Sequence, residues 1–492
     1  MKRQFIYFLL LGSVTLATSC KKEEDLFPVP TTNISDASAF ATPDRIANQV
    51  RGLYATLRNG NFYGGRYLIY NDIRGEEFLL LDPNEVTGAG VWSQTVNNST
   101  NNVKDLWSQA YFTINRCNVF LDGMEAGGNK VVDAAVAGNY TGEARLIRAL
   151  SYYSLLQLFA RPYADGAGSK PGLPLRLKGN SGSGDYALAR SSVAEVYAQI
   201  LSDLNFAETN LPVTVADALT RTSRAHRNTA IALKTRVYLT MQKYGDVITE
   251  ANKIVSATAP FTATSGVAHA LQADITNVFK TYTTTESIFS MPFNANEVPG
   301  TQNQLAYYYT PANSVVTGGV GQGLFALDPA GIISNTGWKA DDKRRTFVKS
   351  SGTGTTARNW LFKYTAPSPY TDFVPVIRYA EVLLNLAEAR VRSTNTVDPQ
   401  AVALLNAVRT RSDATTTFTV GSFANATAMA NAILTERRIE FLGEGLRSQD
   451  LLRLLMPIPG KSNIATVAPT AQNYIWPISA NELLLNKLMT DN

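Results

Sequence analysis

What this chain of 492 residues can do chemically is bounded by scarcity: it holds two histidines, His226 and His269, and two cysteines, Cys20 and Cys117. Too few Cys and His remain for a zinc site of ordinary ligand spacing, so HExxH hydrolysis and CxxC redox chemistry are both excluded. His226 lies in Arg224-Ala-His226-Arg227, where flanking positive charge disfavours its protonation, and neither histidine adjoins a nucleophile elbow. The run Gly166-Ala-Gly-Ser-Lys170 lacks phosphate-loop spacing and meets Pro171 at once. No loop dense in Asp and Asn carries calcium-ligand spacing, so no metal and no cofactor are expected. Cys117, behind Trp107, Tyr111 and Ile114 on a helical pattern, reads as a small buried hydrophobe.

The residue types that remain as candidate ligand contacts are aromatic rings and planar polar groups, which together suit a ligand that offers flat apolar faces beside hydroxyls. Two stretches concentrate them. The first carries Tyr63, Tyr67, Tyr70, Asn71, Asp72, Arg74, Trp92, Asn97 and Asn98; the second carries Gln302, Asn303, Tyr307, Tyr308, Tyr309, Trp338 and Trp360. From these, Tyr63, Tyr67, Tyr70, Asp72, Arg74, Trp92, Asn98, Tyr307, Tyr308, Trp338 and Trp360 are the expected ligand contacts, with Trp92, Trp338 and Trp360 as platforms. For each tryptophan the competing role is to cover core between loop and scaffold, and for Asp72 it is a loop-stabilising turn.

Both stretches lack a sustained hydrophobic period, at residues 60–102 and 270–373, and read as long loops set on something more regular. That scaffold reads as paired helices. Thr42-Pro43-Asp44 starts one, with Ile46, Val50, Leu53 and Leu57 on one face. Residues 103–121, 142–160 and 193–210 follow, the second presenting Ile147, Leu150, Ser154 and Leu158 as a stripe. Residues 228–255 make the clearest unit, two helices meeting at Lys243-Tyr244-Gly245-Asp246 with small Ala232 and Ala251 between them. That spacing is tetratricopeptide-like. Residues 376–391 with 399–410, and 428–443 with 446–455, give further pairs. Such pairs stack, because one alone cannot bury its apolar face.

Composition agrees with an ordered body: 45% of residues are hydrophobic and only 17% charged. A net charge of +5, without a basic run, is a poor footprint for nucleic acid. The N-terminus reads as an address. Lys2-Arg3 precedes an apolar run over residues 5–16, too short to span a membrane, and Leu16-Ala-Thr-Ser-Cys20 resembles a lipobox. Residues 1–19 are therefore expected to be a lipoprotein signal peptide, and Cys20 the lipidated first residue of a tether over 20–38.

Taken together, these motifs resemble the SusD/RagB-like family of nutrient-binding outer-membrane lipoproteins of Bacteroidota. Behind the lipobox come Trp107-x3-Tyr111-x2-Ile114-Asn115-x2-Asn118, Glu143-Ala-Arg-Leu-Ile-Arg148-Ala-Leu-Ser-Tyr152-Tyr153, and Arg161-Pro-Tyr163 with Gly172-Leu-Pro174. Arg378-Tyr-Ala-Glu381 with Ala387-Glu388-Ala389 follows, and then Glu436-Arg437-Arg438-Ile-Glu440-x3-Glu444-Gly445-x-Arg447-x2-Asp450-x2-Arg453; Trp476-Pro477-Ile478 closes the set. The resemblance implies an all-α, tetratricopeptide-like scaffold with long irregular insertions carrying the ligand face. On that plan residues 39–269 form an N-terminal helical region with a ligand loop at 60–102. Residues 270–375 form the second ligand insertion, and 376–492 complete the scaffold. The resemblance further implies display on the outer membrane, facing outward, and pairing with a TonB-dependent (SusC-like) transporter that receives the captured oligosaccharide. No catalysis is implied. A peptide-capturing member of the family is the first alternative; a helical-barrel glycosidase and a protein-only adaptor are weaker ones. The motif charges, at i, i+3 spacing on helices, are expected to pair with each other or with adjacent loops and to be structural.

Overall fold

The computed structural model describes residues 36–492, so Cys20, the signal peptide and most of the tether lie outside the described residues. The last tether residues already belong to a helical turn, Asp36–Ala39. Helix α1 (Pro43–Leu57) starts as its sequence dictates. Thr42 caps it by accepting from the Arg45 amide at 3.4 Å, Pro43 takes the first turn, and Ile46, Val50, Leu53 and Leu57 are buried. The longer helices that follow are α2 (Arg66–Ile73), α3 (Asn101–Ala126), α4 (Ala134–Phe159), α5 (Val193–Asn210) and α6 (Arg227–Thr240). Then come α7 (Tyr244–Ala251), α8 (Tyr379–Thr394), α9 (Pro399–Thr410), α10 (Ala426–Glu440) and α11 (Arg447–Arg453).

From α3 to α8 each helix packs on the next, and α8 packs on both α9 and α10. The scaffold is thus an all-α, tetratricopeptide-like stack. Its central rod is α4, where every residue from Gly142 to Phe159 except Arg145 is buried. One apolar stripe was expected there; α1, α3 and α5 cover the helix from several sides, which removes the need for a polar face.

Helices α7 and α8 are neighbours although residues 252–378 lie between them. Six short strands sit outside the helices of the described residues: β1 (Phe78–Leu80), β2 (Ser287–Met291), β3 (Phe325–Leu327), β4 (Val348–Ser351), β5 (Arg358–Leu361) and β6 (Val374–Arg378). Antiparallel β2 and β6 open and close the insertion at its base, so Val376, expected in a helix, is in a strand. Val374-Pro-Val-Ile377 is β-branched and suits one. The other four make one antiparallel sheet in the order β1-β3-β5-β4, with Phe78 opposite Leu327 and Val348 opposite Leu361. Strand β1 comes from the first irregular stretch and the rest from the second, so one sheet fuses the two.

The first stretch is not a surface loop. Residues 62–78 are all buried, α2 among them. A segment covered on both sides shows no amphipathic period, and the aromatics that suggested a ligand loop are filling.

Candidate functional site

Both irregular stretches are held on one seat, the charged run 436–453. Arg438 Nε donates to Glu77 Oε1 at 2.7 Å and Arg447 Nη2 to Glu76 Oε1 at 2.5 Å, which fastens the first stretch. Glu436 and Glu440 receive Arg344 Nη1 at 2.5 and 3.0 Å, and Glu444 receives Arg378 Nε at 2.7 Å and Lys363 Nζ at 2.8 Å, which fastens the second. Arg411 joins Glu286 to Glu440. Further along, Asp450 takes Arg437 at 2.8 Å and Arg453 takes Glu388 of α8 at 2.6 Å. Burial pushes the Glu440 carboxyl up, but Arg411, Arg378 and Arg344 outweigh it and hold the group well below the usual carboxylate range. Against the same burial, Arg437 and Arg453 bring Asp450 down to about 2.

The motif charges pair partly with each other and partly with other segments. Asp450 and Arg453 do meet, at 2.9 Å, but Arg378 turns to Glu286, Glu440 and Glu444 while Glu381 takes Arg236 at 2.6 Å. Arg378 has extended backbone at the end of β6, off the helix that carries Glu381, so the two side chains leave in different directions. Gly445 completes the seat. Its φ is +76°, its amide donates to Asp72 Oδ2 at 3.0 Å, and a Cβ there would lie 2.6 Å from Leu68 Cα.

Of the eleven expected ligand contacts, nine are buried and only Asn98 and Tyr307 are half-exposed. Tyr63 OH shares a hydrogen bond with Ser154 at 2.9 Å, and its ring lies 4.9 Å from that of Tyr67. Tyr70 OH accepts from Asn102 at 2.6 Å. Asp72 accepts from Tyr309 OH as well as Gly445, and burial drives its carboxyl well above the ordinary range. Arg74 donates to Tyr474 O at 2.9 Å. Tyr308 stacks on Phe325 and donates to Gln302 O at 3.0 Å.

The three tryptophans are not platforms either. Trp92, Trp338 and Trp360 are 7%, 3% and 5% exposed. The Trp92 indole donates to Phe78 O at 2.7 Å and that of Trp360 to Ser351 Oγ at 2.9 Å, while Arg345 lies 4.0 Å over the ring of Trp338. An indole is the largest apolar body available, and an insertion that builds a core of its own uses it as filling.

What the insertion does present is a different set of rings. Tyr307 lies 5.9 Å from Tyr370, both half-exposed, with Gln302 Nε2 donating to Tyr307 OH at 3.3 Å. Three residues beyond Tyr370 the same segment reaches Phe373, 5.8 Å from Tyr282. These two rings and half-exposed Phe293 wall a cleft of about 250 Å³ that also contains Lys280, Thr371 and Asp372. Asp372 Oδ1 accepts from the Thr365 amide at 2.9 Å and Oδ2 from that of Ala366 at 3.0 Å, and burial pushes its carboxyl up to about 6. Sequence reasoning passed over Tyr282, Tyr370 and Phe373. No local signal separates them: buried Tyr197 and Tyr364 stand equally alone in the sequence.

Elsewhere the chemistry is closed off. His226 and His269 stack at 5.4 Å inside the protein, and burial first, with His269 second, lowers His226 to about 3. Cys117 is buried, which pushes its thiol up to about 12. Among the described residues no three His, Cys, Asp or Glu converge as a cation site, and no helix is long and apolar enough to cross a membrane. A larger groove of about 680 Å³ runs beside α3, but its one ring, Phe40, packs on Phe120 at 5.8 Å and offers no platform.

Residues 349–492 match the sequence profile described as "SusD family", and residues 31–239 the profile described as "Starch-binding associating with outer membrane". A SusD-like protein P2 of Formosa agariphila is 25% identical across 100% of this chain and 99% of its own length. A crystal structure of a SusD superfamily protein from Bacteroides fragilis superposes with a TM-score of 0.79 at 32% identity, over 92% of this chain and 99% of that one. Surface glycan-binding protein A from Bacteroides uniformis, at 22% identity and a TM-score of 0.72 over 92% and 99% of the two chains, shares the fold.

Proposed function

This chain belongs to the SusD family, and on that premise we propose that it is a non-catalytic surface lipoprotein. It is lipidated at Cys20 and held on the outer face of the outer membrane, where it captures an oligosaccharide and passes it to a TonB-dependent, SusC-like transporter. The observation that carries this reading is the fusion of two irregular stretches into one sheet on a salt-bridged seat. A binding face of loops needs a rigid support if it is to avoid the entropy of ordering on each encounter. The half-exposed rings of Tyr307 and Tyr370, 5.9 Å apart, belong to the second of these stretches and offer an aromatic surface that suits a sugar. The names of the related proteins point to glycans and the outer membrane.

Calorimetry of residues 21–492 against polysaccharides and peptides tests the reading. The expected result is binding to one glycan class with no product formed. Binding only to peptides would assign the chain to peptide capture, and turnover of a polysaccharide would make it an enzyme.

A further inference from the structure

We propose that the cleft walled by Tyr282, Phe293 and Phe373 is a sugar subsite, with Asp372 as the acceptor for the hydroxyls of a single neutral pyranose. This rests on the glycan-binding reading above. Its geometry stands apart from the Tyr307–Tyr370 pair.

Three observations carry it. The cleft joins two segments distant in sequence, 279–293 and 366–373, and it sets the half-exposed rings of Tyr282 and Phe293 around buried Phe373, where nearly all other large aromatics of the insertion are packed away. Phe373, itself 9% exposed, lies 5.8 Å from Tyr282 at 58° and backs the tyrosine, leaving the Tyr282 ring as the surface on which a puckered sugar ring can lay its C–H face. The volume, about 250 Å³, falls below the roughly 300–1,000 Å³ of sites that enclose a drug-sized ligand, so it suits one ring of a longer chain that continues into solvent.

The polar group is set up to match. Asp372 is fixed by the amides of Thr365 and Ala366, so its orientation costs nothing at binding. A carboxylate has room for about four acceptances, and two amides leave capacity for two hydroxyls. Adjacent hydroxyls of a pyranose supply both. A uronic acid would set a second carboxylate against half-buried Asp372, and Lys280, exposed to water at the rim, is screened and offsets little of that repulsion. Neutral sugars are therefore the class.

The test uses residues 21–492 and a panel of neutral trisaccharides of glucose, mannose, galactose and xylose, read by calorimetry and by saturation transfer from protein to sugar protons. Tyr282→Ala, Phe293→Ala and Asp372→Asn are each expected to weaken binding of the recognised sugar about tenfold or more, with thermal midpoints checked to confirm folding. A trisaccharide with a uronate in place of one ring should bind less well to the parent chain than its neutral counterpart. If the parent binds a neutral sugar and both Tyr282→Ala and Phe293→Ala bind it equally well, the cleft is not a subsite while the glycan reading stands. Loss of binding in Tyr307→Ala alone would place the site at that ring and overturn the cleft likewise. No binding by the parent to any member of the panel overturns the subsite together with the reading it rests on.

Discussion

Lys461 shows how much a single residue can be asked to do. Its ammonium is buried and donates to the carbonyls of Ile73 and Gly75, where the C-terminus of α2 leaves acceptors without partners. Burial, despite the pull of Glu76, brings its pKa down to about 7. The unfolded chain therefore holds this proton up to about pH 10.5 and the folded one only to about 7, so the cost of burying the charge falls as pH rises across that window. Lys461→Met should flatten the rise of the denaturation midpoint between pH 7 and 10 relative to the parent; equal slopes would show that the ammonium is not desolvated. The tryptophans make a second prediction at this scale. Since Trp92 and Trp360 are core, Trp92→Ala is expected to destabilise the protein by about 3–5 kcal/mol. A loss of sugar affinity with an unchanged urea midpoint would restore it as a platform.

At the scale of elements, the helices were largely legible. Thr42-Pro43, the capping box of Ser192 and Glu195 on α5, and the junction at Lys243–Asp246 mark boundaries through local chemistry that needs no tertiary partner. The ligand loops were legible only as irregular. Whether Tyr70 or Trp338 meets water depends on what lies on its far side: for Tyr70 that is Trp476, far along the chain, and for Trp338 it is the guanidinium of Arg345, folded back over the ring by its bonds to the carbonyls of Ile333 and Trp338. Composition reports that a ring is present and says nothing about which of its faces is covered. The seat itself was legible as a charged motif, but its partners in the insertions were not, because each pair joins segments far apart along the chain. Arg378 is the test of that seat. Arg378→Ala leaves Glu286, Glu440 and Glu444 buried around a missing cation, and a destabilisation of about 3–5 kcal/mol is expected by chemical denaturation. A change below 1 kcal/mol would mean that water replaces the guanidinium and that the insertion is held by its sheet.

For the whole molecule, anchoring and binding are separable. The described residues begin with the helical turn Asp36–Ala39, and the rings proposed to meet the sugar lie on the insertion over 252–378. Cys20→Ala should therefore leave sugar affinity unchanged while moving the protein from the membrane fraction to the soluble one. A variant that still fractionates with the outer membrane, in cells lacking the transporter, would show that the lipid is not the anchor.

The seat also fixes the order in which this protein can be completed. Its charges lie at residues 436–453, whereas the groups they hold, Glu76, Glu77, Arg344, Lys363 and Arg378, are all made earlier. Until the last tenth or so of the chain has emerged, Glu76, Glu77 and Lys363 lack their charged partners, and Arg344 and Arg378 have only Asp342 and Glu286. The insertion consequently lacks its full support through most of synthesis, a state that would suit the export on which the proposed function depends. A polypeptide ending before residue 436 is expected to leave the insertion open to limited proteolysis.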